Sequence, residues 1–370
     1  MISALRTLTR WASSLPWRLA PFATVLEMRR DERRGIHQPE DFSGSVNTPG
    51  GERIEYSEPV SLLDQTAPSE VMEGRYRYNP DGAVISQPKS LYRLQRGCLI
   101  TQEGIVYCPD TRAAVAETVK CWDSSARNHW LFRSPRFPDA QALVGTTLSL
   151  VTLSAEGFYH FLVEALPRLS LAKSWLDRID HFVINAGGFQ RAWLMAAGVD
   201  PSRIILATPH MHFACDDLLF TGPVIADCQP DPWVRRSLNE LFPHAGSQPL
   251  RTLWISRADA KARHLTWEDE LLAHLPGFER ISLSTHSPLE QVRAFRSAKV
   301  VAGPHGAGLA NVLFSPAVRL IELFPANHYV PLYSRCAAVA GGKAAWAGVD
   351  FERPERVAEL AGAVARFLRN

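Results

Sequence analysis

Several motifs that would settle its chemistry are missing from this 370-residue chain. Its six cysteines, Cys98, Cys108, Cys121, Cys215, Cys228 and Cys336, make no CxxC pair and no zinc-ligand spacing, which is the pattern of incidental thiols in a reduced compartment. No run is long and apolar enough to cross a bilayer. No GxSxG elbow supports a serine hydrolase, and no Gly-Lys-Ser/Thr follows any glycine turn, which excludes a P-loop. The formal net charge of +2 leaves neither an acidic tail nor a dominant basic surface, so nucleic acid is not an expected partner. No internal repeat is visible.

The composition that remains, 46% hydrophobic and 21% charged, is that of an ordinary globular protein, and the length suggests two domains. Residues 1–66 read as a basic amphipathic segment and an irregular lead-in. In the first turns Leu5, Leu8, Trp11 and Leu15 recur at helical spacing beside Arg6, Arg10 and Arg18. That helix, with Trp11 and Trp17, can lie on an anionic membrane surface or pack on the protein. Its arginines interrupt any signal-peptide core.

A β-rich section follows, with a hairpin expected at Glu103-Gly104. From Gly157 onward helix-like and strand-like runs alternate. The periodicity predicts a helix over "GFYHFLVEALPRLSLAKSWL", broken near Glu164 because Pro167 cannot donate to the Val163 carbonyl. The polar stretch "PHAGSQPL" suggests a domain boundary, giving domains over 67–245 and 246–353 and a closing helix over 354–370. In the second half Thr266 reads as an N-cap. Ser287-Pro288 with Glu290 reads as a capping box with proline at the first helical position. Strands alternating with helices imply parallel sheets with right-handed crossovers.

Ligands of open α/β sheets bind beyond the carboxyl ends of the strands. The strand "KVVAG" runs into Pro304, His305, Gly306, Ala307 and Gly308, and then into a helical run with Asn311 one turn in. Such a helix start exposes unpaired N–H groups at the positive end of the dipole and suits a phosphate; it equally makes a plain strand-to-helix turn. The third glycine of a dinucleotide fingerprint is replaced by Asn311, which disfavours a nicotinamide-type oxidoreductase. "WISR" ends in Ser256 and Arg257, with Arg263 close by, a fork suited to phosphate oxygens or a solvated loop. Glu322 interrupts an apolar strand and needs either a ribose diol or a structural ion partner. His160 and Glu164, four apart, suit proton abstraction from a hydroxyl or an ordinary surface pair. His210, His212 and Cys215 resemble a metal cluster only in passing.

Together, "GFYHFLVEALPRL", "WISRADAKARHLTWEDEL" and "EQVRAFRSAKVVAGPHGAGLANVLFSPAVRLIELFP" resemble glycosyltransferase family 61, over roughly Phe158 to Pro325. The resemblance implies an α/β, GT-B-like architecture: two Rossmann-like domains facing across a cleft, here with a β-rich N-terminal section. It implies inverting transfer from a nucleotide-sugar co-substrate, a UDP-sugar in family members, with no metal or other cofactor. It assigns the diphosphate to Arg257, Ser256, His305, Gly306, Ala307 and Gly308. The nucleoside, ribose or sugar falls to Glu322, Asn311 and Arg263, and the base is Glu164 or His160, where relatives often carry Asp at the Glu164 position. Implied partners are the donor and a glycan or lipid-linked glycan acceptor, in cell-surface polysaccharide synthesis. No lumenal anchor is visible, and the resemblance then implies a bacterial, cytoplasmic-face enzyme that the basic N-terminal segment would bring to the membrane periphery. A non-catalytic nucleotide- or glycan-binding protein on the same fold is the alternative.

Overall fold

A computed structural model describes residues 47–48, 52–57, 59–63, 65, 83–119, 129, 131, 137–243, 248–325 and 328–369, the first pair as backbone only. The basic amphipathic stretch with Trp11 and Trp17 lies outside them. Among the described residues no helix is long and apolar enough to cross a membrane. The chain forms two compact units, each a mixed or parallel α/β assembly. One holds 87–224 with the strand at 47–48, the other the described parts of 52–86 together with 225–369.

The first unit is built on β1 (Gln141–Ser149), β2 (His181–Asn185), β3 (Ile204–Ala207) and β4 (His212–Thr221). These pair in parallel in the order β3-β2-β1-β4, the order of half a dinucleotide-binding fold. Beyond β4 the sheet turns antiparallel, through strands Lys89–Gln95 and Cys98–Ile100 and on to Ile105–Cys108. The expected hairpin is present, with Gly104 at φ +78 in the left-handed region that favours glycine. α1 (Gln190–Ala196) ends before Gly198, also left-handed at φ +91. β4 begins at His212, so His210 sits in the preceding turn rather than on a shared strand face. His212 Nδ1 bonds the Pro138 carbonyl, and among the described residues the ligand atoms of His210, His212 and Cys215 do not come together as a metal site would need.

The second unit carries α2 (Pro232–Leu241), β5 (Arg251–Ser256), α3 (Glu268–Ala273), β6 (Glu279–Ser282), α4 (Pro288–Arg296), β7 (Ala298–Pro304), β8 (Arg319–Pro325), α5 (Leu332–Val339), β9 (Lys343–Val349) and α6 (Val357–Arg369). Its sheet is parallel throughout, ordered β6-β5-β7-β8-β9, with Val60–Ser61 added at the β9 edge. The core joins Trp254, Ile321, Ala347, Trp267 and Leu271 to Leu360 and Val364 of α6. Thus the closing helix is part of this unit rather than a separate piece.

The unit boundary also differs from the polar linker at 245/246. α2 belongs to the second unit because Arg296 donates to the Phe242 carbonyl and Phe242 packs edge-on against Phe314 at 5.9 Å. The short strands Arg53–Glu55 and Ala83–Ile85 join this unit too, with Tyr56 donating to the Pro230 carbonyl at 2.6 Å. The capping box at Ser287 forms as expected. Thr266 does not cap α3: its hydroxyl donates to the carbonyls of Phe351 and Glu352, and Trp267 takes the cap position instead.

Candidate functional site

In the second unit the chain order reverses between β5 and β7, since β6 lies on one flank of β5 and β8 beyond β7. Ligands of doubly wound sheets bind at such a switch point, past the carboxyl ends. Two glycines make the ends of these strands fit. A Cβ on Gly303 would lie 2.6 Å from the Ile255 carbonyl, so glycine lets β7 approach β5 closely. At Gly306 a Cβ would sit 2.0 Å from Arg257 Nη1, so its missing side chain is the space that the guanidinium occupies. The backbone of Gly306 is extended, at φ −179, and demands no glycine for itself.

Arg257 is held in that space by its other nitrogens. Nε donates to the Arg263 carbonyl and Nη2 to the Ala262 carbonyl at 3.0 Å. Nη1 is the part left at Gly306. Burial, then the charge of Arg263, pulls this guanidinium below its ordinary value. Immediately after Gly306 the residues Ala307–Phe314 form a 3-10 helix, whose first N–H groups, those of Ala307 and Gly308, have no intrahelical acceptor. Ala307 and Gly308 are half-buried, while the residues on either side are covered. A guanidinium and the first two N–H groups of the helix therefore lie next to one another around Gly306, a candidate cradle whose donors and helix end suit an anion.

His305 borders it. Its Nδ1 lies 2.5 Å from Glu322 Oε1, and both side chains are buried, at 4% and 2% exposure. Burial, followed by the charges of Arg263 and Arg257, pushes His305 down to about 3. Burial holds the Glu322 carboxyl well above the usual carboxylate range. Glu322, expected from the sequence to meet a ribose or a structural partner, is buried here with His305 as its partner.

Two other expected ligands face inward. The Ser256 hydroxyl donates to Glu268 Oε1 at 2.7 Å, and Glu268 is also paired with Arg280. Asn311, fully buried, donates to Gln291 Oε1 and the Gly308 carbonyl, tying the 3-10 helix to α4. Gly308 serves packing as well, since a Cβ there would meet Leu283 Cδ1 at 2.6 Å. Arg263 is exposed, held at φ +59, and its charge bears on His305, Glu322 and Tyr333.

In the first unit the expected break at Pro167 takes a specific form. Phe158–His160 is α-helical, Phe161–Ala165 is a π turn closed by Leu166 N–H to the Phe161 carbonyl at 2.9 Å, and Arg168–Leu171 resumes the α-helix. π turns recur at functional sites because they re-aim side chains. Here His160 Nδ1 meets Glu164 Oε1 at 2.7 Å, with Glu164 buried and His160 partly exposed. The segment follows β1 directly. Its lead-in is pinned by Asn185 at the end of β2, whose Oδ1 accepts from Thr152 N–H at 3.0 Å. Phe158 and Phe161 pack against Phe189 and Trp193, which fixes the start of the segment.

Arg168, not anticipated from the sequence, completes this region. Its guanidinium is buried, donates from Nε to the Glu164 carbonyl and from Nη1 to the Val151 carbonyl, and is pushed down to about 10 by burial. It lines a polar cavity with Glu103, Glu117, Thr152 and Thr221 at the carboxyl ends of β1 and β4. That is the switch point of the first sheet. A charged residue directly after proline in an otherwise apolar run was the available signal.

The family model described as Glycosyltransferase 61 matches residues 158–321. The match begins at the broken helix, spans the anion cradle and stops one residue before Glu322. No curated protein is similar enough to the chain to count as a match.

Proposed function

With residues 158–321 assigned to glycosyltransferase family 61, and glycosyltransferase activity implied in general terms, we propose that the chain moves a sugar from a nucleotide-sugar donor to a hydroxyl of a glycan or lipid-linked glycan. The observation that carries this reading is the cradle at Gly306. Arg257 Nη1 and the N–H groups of Ala307 and Gly308 are donors suited to the two phosphates of a nucleoside diphosphate, UDP being the first candidate. Fixed donors aimed where negative charge grows on the leaving diphosphate stabilise the transition state without reorganising. In this reading they do the work a divalent cation does elsewhere, and the mechanism proceeds without a metal.

On the acceptor side, the His160–Glu164 pair removes the proton of the attacking hydroxyl. A single in-line displacement would invert the anomeric centre. Both units have strand orders that suit the halves of a GT-B enzyme, the first receiving acceptor and the second donor. Polysaccharide synthesis on the cytoplasmic side of a bacterial membrane, with the basic N-terminal segment meeting anionic lipid, is the setting we favour.

A thermal-shift screen across sugar nucleotides tests the donor reading, since a ligand that binds only the native state raises the melting temperature. A nucleoside diphosphate sugar should raise it, and radiolabelled sugar should then pass to acceptor in the presence of EDTA. A rise with NAD alone would contradict the reading. Binding without transfer to any glycan would favour a non-catalytic protein on this fold, and activity restored only by manganese would remove the metal-free mechanism.

A further inference from the structure

Glu322 sits in the middle of β8, in register with Gly303 of β7, surrounded by Leu320, Ile321, Leu323 and Phe324 of its own strand. A carboxyl in such a place must be neutralised or paired. Its partner ring is clamped. His305 stacks on Phe324 at 4.9 Å and 29°, and the rings of Tyr333 and His328 also lie against it, at 5.1 Å and 5.0 Å. With the ring plane set and Nδ1 engaged by Glu322, Nε2 has no hydrogen-bond partner among the described residues.

Counting protons decides what Nε2 can do. A buried carboxyl–imidazole pair is least costly when its net charge is zero. The neutral pair holds two protons: one shared between Oε1 and Nδ1, the other on Nε2. That count is the same whether the shared proton sits on oxygen or on nitrogen. Arg257 and Arg263 already bring positive charge to this region, so a free imidazolium is disfavoured there, in keeping with the depressed His305 and raised Glu322.

We propose that Glu322 is a positioning residue, whose carboxyl bonded to His305 Nδ1 keeps a proton on Nε2 and so makes His305 a neutral hydrogen-bond donor toward the diphosphate of the bound nucleotide. The inference rests on the reading that this diphosphate occupies the Gly306 cradle. It replaces the ribose role that the sequence suggested for Glu322. The wider arrangement is two kinds of donor around Gly306, charged from Arg257 and uncharged from His305. Uncharged donation avoids burying another full charge beside the arginines when the cradle is empty.

Nitrogen-15 NMR of the imidazole side chains in the full chain tests the assignment without any ligand. His305 is identified by the signal lost in His305→Gln. The neutral ring should carry its proton on Nε2 from about pH 5 to about pH 8; a ring protonated on Nδ1 alone would overturn the proposal. Glu322→Leu, of similar volume, should populate both tautomers and weaken UDP binding about tenfold, the scale of one buried hydrogen bond. An Nε2 proton kept in Glu322→Leu, with unchanged UDP affinity, would also overturn it. Wild-type protein that shows the Nε2 tautomer yet binds no UDP would leave the pairing intact and sink the diphosphate reading instead.

Discussion

The two units solve one geometric problem with different materials. Both are sheets whose parallel strands end at a switch point, β1/β4 in the first and β5/β7 in the second. In the second unit the candidate site is largely backbone: open N–H groups, a glycine kept small for a guanidinium, and a histidine held by a buried carboxyl. The first unit uses side chains on an irregular helix, with the His160–Glu164 pair on a π turn and Arg168 beneath it. Receiving the charge of a leaving group calls for rigid donors, and backbone supplies them without conformational cost. Removing a proton calls for a titratable pair placed at a defined point, and a π turn between two α-helical segments places one.

This contrast predicts separable losses. Glu164→Gln should lower the turnover number by about a hundredfold or more while leaving UDP affinity near wild type, because general bases contribute on that scale. Steady-state kinetics paired with calorimetry checks it, and an equal loss in both would place Glu164 on the donor side.

Gly306→Ala should act the other way, with a smaller effect. Its Cβ would meet the Arg257 guanidinium, displacing Nη1 and weakening UDP binding by about tenfold, as expected for one charge-assisted bond. The fold should be retained, because the backbone at this position is extended and the group that must move is the end of a flexible side chain. Undiminished UDP affinity in this variant would remove Arg257 Nη1 from the cradle.

The last expected effect is on stability and its pH dependence, read apart from ligand binding and turnover. The native Glu322 carboxyl keeps its proton to higher pH than the unfolded one, whose ordinary value is 4.5. Its contribution is therefore complete below that pH and is lost as pH rises through the native value. Glu322→Gln has nothing to titrate at this position in either state. His305 has the opposite sign, with stability lost as pH falls from the unfolded value of 6.5 toward about 3. To first order it is common to both proteins and cancels in the difference. Urea unfolding from about pH 5 to about pH 7 should thus show wild type losing stability relative to Glu322→Gln, by up to about 1.4 kcal/mol per pH unit. A difference flat with pH would mean that Glu322 is ionised in the native protein.

Local signals carried much of this structure. The capping box at Ser287, the hairpin turn at Gly104 and the break before Pro167 are each set by a few neighbouring residues, and each was legible in the sequence. The strand ends that build the cradle were legible as well, since alternating elements place them at one edge of a parallel sheet. What escaped depended on partners distant in the chain. Thr266 looks like a cap until Phe351, 85 residues away, takes its hydroxyl. Ser256 looks like a phosphate ligand until Glu268 does the same, and Asn311 looks like a ligand of the nucleoside or sugar until Gln291 Oε1 accepts from its amide. Glu322 was correctly read as needing a partner, but only the pairing of β7 with β8 shows that the partner is His305.

The central claim is that a nucleoside diphosphate binds where Arg257 lies over Gly306. Calorimetric titration of UDP into wild type and Arg257→Ala tests it most directly. The account predicts saturable binding by wild type and at least about a tenfold loss in the variant, with both proteins melting at similar temperatures. Equal affinity in the two proteins would contradict it.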